Sequence, residues 1–291
     1  MKVHRKKCTI AVCTFNRSAF LEKILASLKK QTYLNFDILV IDNASTDNTK
    51  AIAEKYNAKY IFEKKQGIAN ARNAAIENSD SHYLAFLDDD ETVDRDWLEN
   101  MINALENYNA AMATGPVLPV YEKQPPDWMP LTVFEDKEIM RYKKNEKPFS
   151  LANGFSGTGN SIFLKSIIGK ERFKTNLGRK GKSLISGEDS EFIARLFTKS
   201  GRALFVPGSP IYHFIPSDRT TFIWLTKRAF AEGVTEYRMN GVRILLRRIH
   251  KPILDLFALV FSLFTFNRKK LCQRWLRLSQ SCGVVFGWGL R

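Results

Sequence analysis

This chain of 291 residues has little cysteine and lacks two common nucleotide-binding motifs. Its four cysteines (Cys8, Cys13, Cys272 and Cys282) form no Cys-x-x-Cys pair, which favours reduced core cysteines. No Gly-x-Gly-x-x-Gly follows the first predicted strand and no complete P-loop ending in Gly-Lys-Ser/Thr occurs, so dinucleotide and P-loop sites are disfavoured. The apolar stretch after the basic N-terminus is too short for a signal peptide, and we expect a reducing, cytoplasmic location.

Acidic residues are scarce relative to basic ones, and the imbalance is local. The formal net charge is +15, and residues 219–291 hold fourteen Lys and Arg against three acidic residues. Because the rest of the chain contributes little net charge, the basic character belongs to the tail, and we expect no nucleic-acid partner.

Strand-like and helix-like segments alternate over residues 1–115. Short apolar runs predict strands at residues 9–13, 36–41, 58–62, 83–87 and 111–117, with amphipathic helices between most of them. This order predicts an α/β fold with a mostly parallel sheet flanked by helices. A later amphipathic helix is predicted from residue 220 to Gly233.

Three consecutive aspartates, Asp88-Asp89-Asp90, follow the apolar run at residues 83–87. Ligands of open α/β sheets bind outside the carboxyl ends of the strands, and Mg²⁺ and Mn²⁺ prefer oxygen ligands. The triplet therefore predicts a hard-cation site. The alternative is a solvated acidic turn that opens a helix.

Two further clusters occupy strand ends, and a third opens a helix with an arginine. They are Thr14-Phe15-Asn16-Arg17, Asp42-Asn43-Ala44-Ser45-Thr46-Asp47 and Gly67-Ile68-Ala69-Asn70-Ala71-Arg72-Asn73. Together with the aspartate triplet they make a nucleoside-diphosphate site plausible, in which metal and arginine meet the phosphate charge.

In this order the four clusters resemble the family 2 glycosyltransferases of GT-A fold. Gly159-Asn160-Ser161-Ile162-Phe163 and Gly187-Glu188-Asp189 resemble later motifs of that family, and the resemblance covers about residues 7–235. It implies a GT-A-like catalytic domain over 1–235, with a nucleotide-sugar half at 1–117 and an acceptor half at 118–235. Residues 236–291 would form a C-terminal helical extension.

The resemblance also implies a role for each matching residue. The donor, a UDP-, GDP- or dTDP-sugar, would be contacted by Thr14, Asn16, Arg17, Asp42, Arg72, Asp88 and Asp89. Asp90 would bind Mn²⁺ or Mg²⁺. His213 would be a further metal ligand or, alternatively, a satisfied core histidine. Sugar or acceptor contacts are assigned to Gly159, Asn160 and Glu188. Apart from the resemblance, residues 118–152 are predicted to form an insertion over the sheet, and its proline-rich stretch at 124–130 carries Trp128. Trp128 is a candidate acceptor contact, because loops with aromatic residues are frequent binding surfaces, or it fills the small core of the insertion.

Asp189 matches the acidic residue that acts as general base in the family. A carboxylate in reach of the acceptor hydroxyl can take its proton during attack on the anomeric carbon. One base opposite the leaving group implies direct displacement with inversion. Acidic residues also suit a helix N-terminus through its dipole, which would explain Glu188 and Asp189 without any catalytic role.

The tail contains an apolar run at residues 252–266 with basic clusters on both sides, over residues 243–277. Fifteen helical residues span ~22 Å, less than the ~30 Å hydrocarbon core. We expect this segment to lie on an anionic membrane surface at the cytoplasmic face. The alternative is a helical hairpin packed on the protein.

A membrane location would suit a lipid-linked or glycan acceptor in the synthesis of a cell-surface polysaccharide or glycolipid. Two other functions remain open from the residues alone. One is a nucleotidyltransferase acting on sugar phosphates, and the other is a non-catalytic membrane-binding protein.

Overall fold

The computed structural model describes residues 6–131, 144–152, 154–155, 157–181, 183–263 and 267–287. Residues 264–266, the end of the predicted apolar run, lie outside the described residues. The first elements are β1 Cys8–Thr14, α1 Ser18–Leu28, β2 Phe36–Asp42, α2 Thr49–Lys55, β3 Lys59–Phe62, α3 Ile68–Glu77, β4 Tyr83–Asp88, β5 Glu91–Val93, α4 Trp97–Asn107 and β6 Met112–Thr114.

The remaining elements are shorter strands followed by long helices. They are β7 Val117–Tyr121, β8 Phe149–Leu151, β9 Ser161–Leu164, α5 Lys165–Ile168, α6 Glu188–Ser200, β10 Ala203–Phe205, β11 Ile211–Ile215, a 3₁₀ turn Ser217–Thr220, α7 Phe222–Asn240, α8 Val242–Arg248, α9 Lys251–Leu263 and α10 Arg268–Phe286. Among the described residues, no helix combines the length and apolar composition needed to cross a membrane.

Eight strands form the central sheet, in the order β3-β2-β1-β4-β9-β6-β10-β8. All neighbours run parallel except at β9 and β8, which are antiparallel to the strands beside them. The predicted α/β fold with a mostly parallel sheet and C-terminal helices is therefore confirmed. A second sheet has the order β5-β11-β7.

Alternate residues of β1 pack in two hydrophobic cores, one on each face of the central sheet. Ile10 and Val12 pack in a cluster with residues of α1 and α4, whereas Ala11 and Cys13 pack with residues of α3 and α6. Side chains of a strand alternate between faces, so a strand covered on both sides is apolar throughout. Burial of the central strands on both faces therefore explains the apolar runs of the sequence.

The elements differ from the prediction in three details. The strand predicted at 111–117 is two strands in different sheets, because Gly115 and Pro116 interrupt it and an added Cβ at Gly115 would overlap the carbonyl oxygen of Ser209. The three-residue strands β5 and β8 were not predicted. Helix α7 continues through Gly233 to Asn240.

The chain divides into two compact units, each assembled from three segments. The first contains the described residues of Met1–Leu118, Lys137–Thr175 and Glu188–His213; the second contains those of Pro119–Asp136, Asn176–Gly187 and Phe214–Arg291. The boundary predicted at residue 235 falls within α7.

Candidate active site

Three strands of the first unit end level with one another. In the pairing register of β1, Thr14 lies opposite Asp42 of β2, and Cys13 lies opposite Asp88 of β4. Parallel strands present their carboxyl ends at one edge of the sheet. The register therefore brings three of the sequence-predicted clusters to a single edge.

The turns after β1 and β2 are bonded to each other. Asn16 and Ala44 both have left-handed backbone angles, with φ of 52° and 68°. The Asn16 side-chain oxygen accepts a hydrogen bond from the Thr46 backbone N–H over 2.7 Å, and the Asn16 backbone N–H donates to Ser45 Oγ over 2.8 Å. Uncommon backbone angles held by such bonds indicate a fixed, shaped surface. Asn16 itself is exposed there.

Asp42, the last residue of β2, is buried at this edge of the sheet. Its two carboxylate oxygens accept hydrogen bonds from the Ser45 backbone N–H over 2.8 Å and the Tyr60 hydroxyl over 2.7 Å. These two bonds fix the turn after β2. The donor contact of Asp42 stays a prediction.

Asn43, which sequence reasoning missed, fixes the start of α3. Its side-chain nitrogen donates to the Glu63 and Lys65 carbonyls, and its side-chain oxygen accepts from the Gly67 N–H over 2.7 Å. Gly67 has φ of 129°, which only glycine adopts readily. This clamp sets the direction in which α3 carries Arg72.

Asp89, the middle residue of the triplet, points into the protein. Its carboxylate accepts hydrogen bonds from the Thr14 hydroxyl over 2.8 Å and from Arg17 Nη1 over 2.7 Å. Burial raises the pKa of Asp89 to about 7, and the Arg17 guanidinium opposes that rise. The structure thus joins Thr14, Arg17 and Asp89 to one another, and their donor contacts stay predictions.

Asp88 and Asp90 are the outer residues of the triplet. Asp88 is the open one, with 40% of its side chain exposed. Asp90 is buried; its Oδ2 accepts from Arg17 Nη1 over 3.0 Å, and its Oδ1 lies 3.6 Å from His213 Nε2. Pairing of β5 with β11 sets His213 opposite Glu91 and so beside the triplet.

Asp90 and His213 fit the predicted divalent cation. A carboxylate oxygen and an imidazole nitrogen this close can bind one ion, and Mg²⁺ commonly takes one or two protein ligands and completes its shell with substrate phosphates and water. In the described part of the chain, no group of three or more His, Cys, Asp or Glu could hold a metal by itself. A cation held by Asp90 and His213 would therefore need further ligands.

Glu91 is a second residue that the sequence did not reveal. It is buried under the triplet, and its Oε2 accepts a hydrogen bond from the Asp88 backbone N–H over 2.8 Å. Burial, followed by the charges of Asp88 and Asp90, raises the pKa of Glu91 well above its usual range. Nothing in four consecutive acidic residues distinguishes those that turn inward.

The backbone of Gly159 lies directly against the buried Glu91 carboxylate. A Cβ at Gly159 would overlap Glu91 Oε1 and lie 3.2 Å from Asp88 Oδ2. The close approach of two carboxylates to a backbone explains this glycine. Its predicted contact with sugar or acceptor is therefore not required to explain the residue.

Arg72 links the end of β4 to the start of α6. It is buried, and it donates to Glu188 Oε1 over 2.6 Å and to Asp88 Oδ1 over 3.1 Å. Burial lowers the pKa of Arg72, but the nearby carboxylates outweigh burial and hold that pKa above its usual value. Burial also raises the pKa of Glu188. Arg72 thus holds two carboxylates from distant parts of the chain together.

Asp189 follows Glu188 in the first turn of α6. It is half-buried, and its Oδ1 accepts from the Ser190 backbone N–H over 2.7 Å. A Cβ built at Gly157, which has φ of 91°, would lie 4.0 Å from Asp189 Oδ2. Through the Arg72 bridge, the structure brings this carboxylate to the edge that also carries Asp88.

Asn160 and Trp128 are the remaining predicted acceptor residues. Asn160 is buried; its side-chain nitrogen donates to the Pro116 and Ser209 carbonyls, and its oxygen accepts from Trp97 Nε1. These bonds give Asn160 a structural role, and its contact with sugar or acceptor stays a prediction. Trp128 belongs to the second unit, where its ring lies edge-on to Phe222 at 6.0 Å.

The family model described as "Glycosyl transferase family 2" matches residues 9–170, more than half of the chain. That match includes the three strand ends and Gly159, while Asp189 and His213 lie beyond it.

Two curated proteins resemble most of the chain. Succinoglycan biosynthesis protein ExoM of Rhizobium meliloti is 30% identical over 241 residues, which is 79% of this chain and 74% of that protein. Glucosyl-dolichyl phosphate glucuronosyltransferase of Haloferax volcanii is 22% identical over 245 residues, covering 80% and 77%.

Solved structures of glycosyltransferases share the fold. S. aureus TarS 1-349 in complex with UDP has a TM-score of 0.57 at 17% identity, covering 95% of this chain and 91% of that one. The match covers only 55% of the longer TarS chain. Mannosyltransferase PcManGT from Pyrobaculum calidifontis, in complex with GDP-Man and Mn²⁺, has a TM-score of 0.57 at 17% identity over 99% and 74% of the two chains.

Proposed function

The chain belongs to glycosyl transferase family 2, and from that premise we propose that it transfers a sugar from a nucleoside-diphosphate donor to an acceptor hydroxyl with inversion at the anomeric carbon. The proposal rests on one observation above all: Arg72 bonds both Asp88 at the end of β4 and Glu188 at the start of α6. This bridge sets Asp189 beside the edge at which a nucleotide would bind.

Asp189 is the proposed general base. Its carboxylate accepts the proton of the acceptor hydroxyl as that oxygen attacks the anomeric carbon, and the diphosphate leaves from the opposite face. Because the displacement is direct, the configuration inverts. Arg72 and Glu188 are positioning residues that hold the first turn of α6 in place.

Asp90 and His213 are the proposed ligands of Mn²⁺ or Mg²⁺, and Asp88 faces the donor. When bound, the cation stabilises the negative charge that develops on the leaving diphosphate. Glu91 holds the Asp88 backbone N–H, and Arg17 holds Asp89 and Asp90, so the triplet keeps its shape before the donor arrives. Such preorganisation reduces the cost of reaching the transition state.

The names of the relatives support a place in surface-glycan synthesis. One is a succinoglycan biosynthesis protein, and another acts as a glucosyl-dolichyl phosphate glucuronosyltransferase. A lipid-linked or glycan acceptor, met at the cytoplasmic face of a membrane, is consistent with both.

The test is release of nucleoside diphosphate from a panel of UDP-, GDP- and dTDP-sugars with Mn²⁺ or Mg²⁺. We expect metal-dependent release from one donor, lost in Asp90→Ala and retained in Asp80→Ala, a control that removes an exposed carboxylate of the same unit. In Asp189→Asn, turnover should fall by about 10²-fold or more, while calorimetry still detects donor binding.

Several results would contradict this function. Release of pyrophosphate would indicate a nucleotidyltransferase. Absence of both release and donor binding across the panel would remove the glycosyltransferase mechanism, and full activity of Asp189→Asn would remove Asp189 as the base.

A further inference from the structure

Helix α9 is amphipathic, but its apolar side chains face outward and polar side chains face the protein. Its polar residues turn inward: the Asp255 carboxylate accepts a hydrogen bond from the Ser281 hydroxyl of α10, and Ser262 is buried. Its large apolar residues turn outward and are exposed, namely Ile253, Leu254, Leu256, Phe257, Val260, Phe261 and Leu263. A helix on the surface of a soluble protein normally shows the reverse arrangement.

Helix α8 and the residue after it extend this surface. Val242, Leu246 and Ile249 are also exposed and recur every three to four residues. Together with the seven residues of α9 they form what we call the apolar surface. Exposed apolar patches of this extent mark interaction sites.

Basic residues follow the apolar surface along the chain, at the start of α10. A depression of about 330 Å³ at the start of α10 is lined by Asn267, Lys269, Lys270, Gln273, Arg274 and Arg277. Its four Lys and Arg make no ion pair with any residue that the structure describes. The positive end of the α10 dipole, where Asn267 caps the Lys270 N–H over 3.0 Å, adds to the attraction for anions.

We propose that the apolar surface and the basic depression dock the protein onto a bilayer of anionic phospholipid, with α9 lying in the headgroup plane. Helix α9 has 13 residues, a length of about 20 Å against the roughly 30 Å hydrocarbon core, and so suits an in-plane position. Lipid phosphates occupy the depression, and the apolar side chains enter the acyl region.

Charge favours lipid over a second copy of the chain. From residue 237 onward the sequence has one acidic residue, Asp255, and its carboxylate is already bonded to Ser281. Two such surfaces brought face to face would juxtapose like charges, whereas an anionic bilayer neutralises them. Each Lys or Arg near an anionic surface adds to the attraction.

The proposal goes beyond sugar transfer, and vesicle binding needs no donor, so the two can fail separately. The full chain is floated with phosphatidylcholine vesicles that contain or lack phosphatidylglycerol. We expect binding to the anionic vesicles. Phe257 and Phe261 are 70% and 73% exposed, and the double variant Phe257→Ser/Phe261→Ser should lower partitioning by about tenfold or more.

Matched controls separate this surface from the general attraction of a basic protein. Lys269→Glu/Lys270→Glu should also lower binding by about tenfold or more, whereas Lys29→Glu/Lys30→Glu, an exposed pair on the first unit, should change it little. Leu34→Ser, at an 80% exposed position, is the control for the phenylalanines. All four variants change exposed residues, so their thermal unfolding should match that of the native chain.

Three outcomes would overturn the proposal. Binding that persists in both tail variants would exclude this surface. Equal losses in the tail variants and the controls would mean unspecific electrostatic attraction. A dimer in solution that Phe257→Ser/Phe261→Ser dissociates, with no vesicle binding, would identify a second copy as the occupant.

Discussion

Buried carboxylates dominate the site at the scale of single residues. Asp89, Glu91 and Glu188 are all buried, and each accepts hydrogen bonds within the protein. Asp89 accepts from Arg17 and Thr14, Glu91 from the Asp88 backbone N–H, and Glu188 from Arg72. A buried charge is tolerated when it is paired and hydrogen-bonded, and removing one partner is costly. The site therefore holds its shape through interactions that stability measurements can detect.

Arg72→Met tests the central pair. The variant leaves the Glu188 carboxylate buried beside Asp88 with no cation between them, and we expect it to lower the free energy of unfolding by about 3–5 kcal/mol. The double variant Arg72→Met/Glu188→Gln removes the uncompensated charge and should recover part of the loss. Urea unfolding of the two variants and the native chain measures both effects.

Lys55→Met provides the comparison for Arg72→Met. Lys55 pairs with Glu22 at the surface, where water screens the two charges, and such pairs contribute little to stability. If Arg72→Met cost no more than Lys55→Met, the buried bridge would not hold α6 to the end of β4.

At the scale of elements, α7 and α10 cross with their backbones in close contact. A Cβ at Gly233 would overlap the Gln280 carbonyl oxygen and lie 2.7 Å from the Val284 nitrogen, and a Cβ at Gly283 would overlap the Phe230 carbonyl oxygen. Gly233 is therefore a packing residue in the middle of α7. The clash is with backbone, which cannot move aside as a flexible side chain can.

Gly233→Ala should separate the two helices. Overpacking typically costs about 1–3 kcal/mol, and we expect the upper part of this range, read as a lower midpoint in thermal or urea unfolding. Gly287→Ala, where the nearest atoms to an added Cβ are 3.3 Å away, should cost less. Equal stability of Gly233→Ala and the native chain would mean that the helices are not held at this distance.

Elements with a strong sequence period were predictable, and those without one were not. The apolar runs of β1, β2 and β4 predicted the parallel strands and the edge at which their polar residues meet. Strands β5 and β8 have three residues each, too few to show an alternation. The sequence predicts a helix end at Gly233 because glycine commonly ends helices, and the close crossing of α10 explains its presence within α7.

Inside the site, the residue types could be predicted but their directions could not. After β4 the chain leaves the regular alternation of a strand, so the sequence does not indicate that Asp88 opens outward while Asp89 and Glu91 turn inward. The direction of Asn160 could not be predicted either. Its motif is recognisable in the sequence, but its burial against Trp97 depends on residues distant in sequence.

At the scale of the whole molecule, the two compact units alternate along the chain. A linear division at residue 235 cuts α7, whose later turns and whose partner α10 lie beyond it. Val234 is buried in α7 and Val284 in α10, near the glycine crossing. The second unit therefore depends on residues that the sequence-based division assigns to a separate extension.

A chain shortened to end at residue 235 should consequently be less stable than one that ends at residue 287 and keeps α10. Burial of one Val side chain contributes about 1.5–3 kcal/mol. Loss of about 3 kcal/mol would lower the melting temperature by roughly 10 °C for a domain of this size. Soluble yield and thermal unfolding of the two chains measure the difference. If both melted at the same temperature, α10 would add nothing to α7, and a boundary at residue 235 would describe the protein correctly.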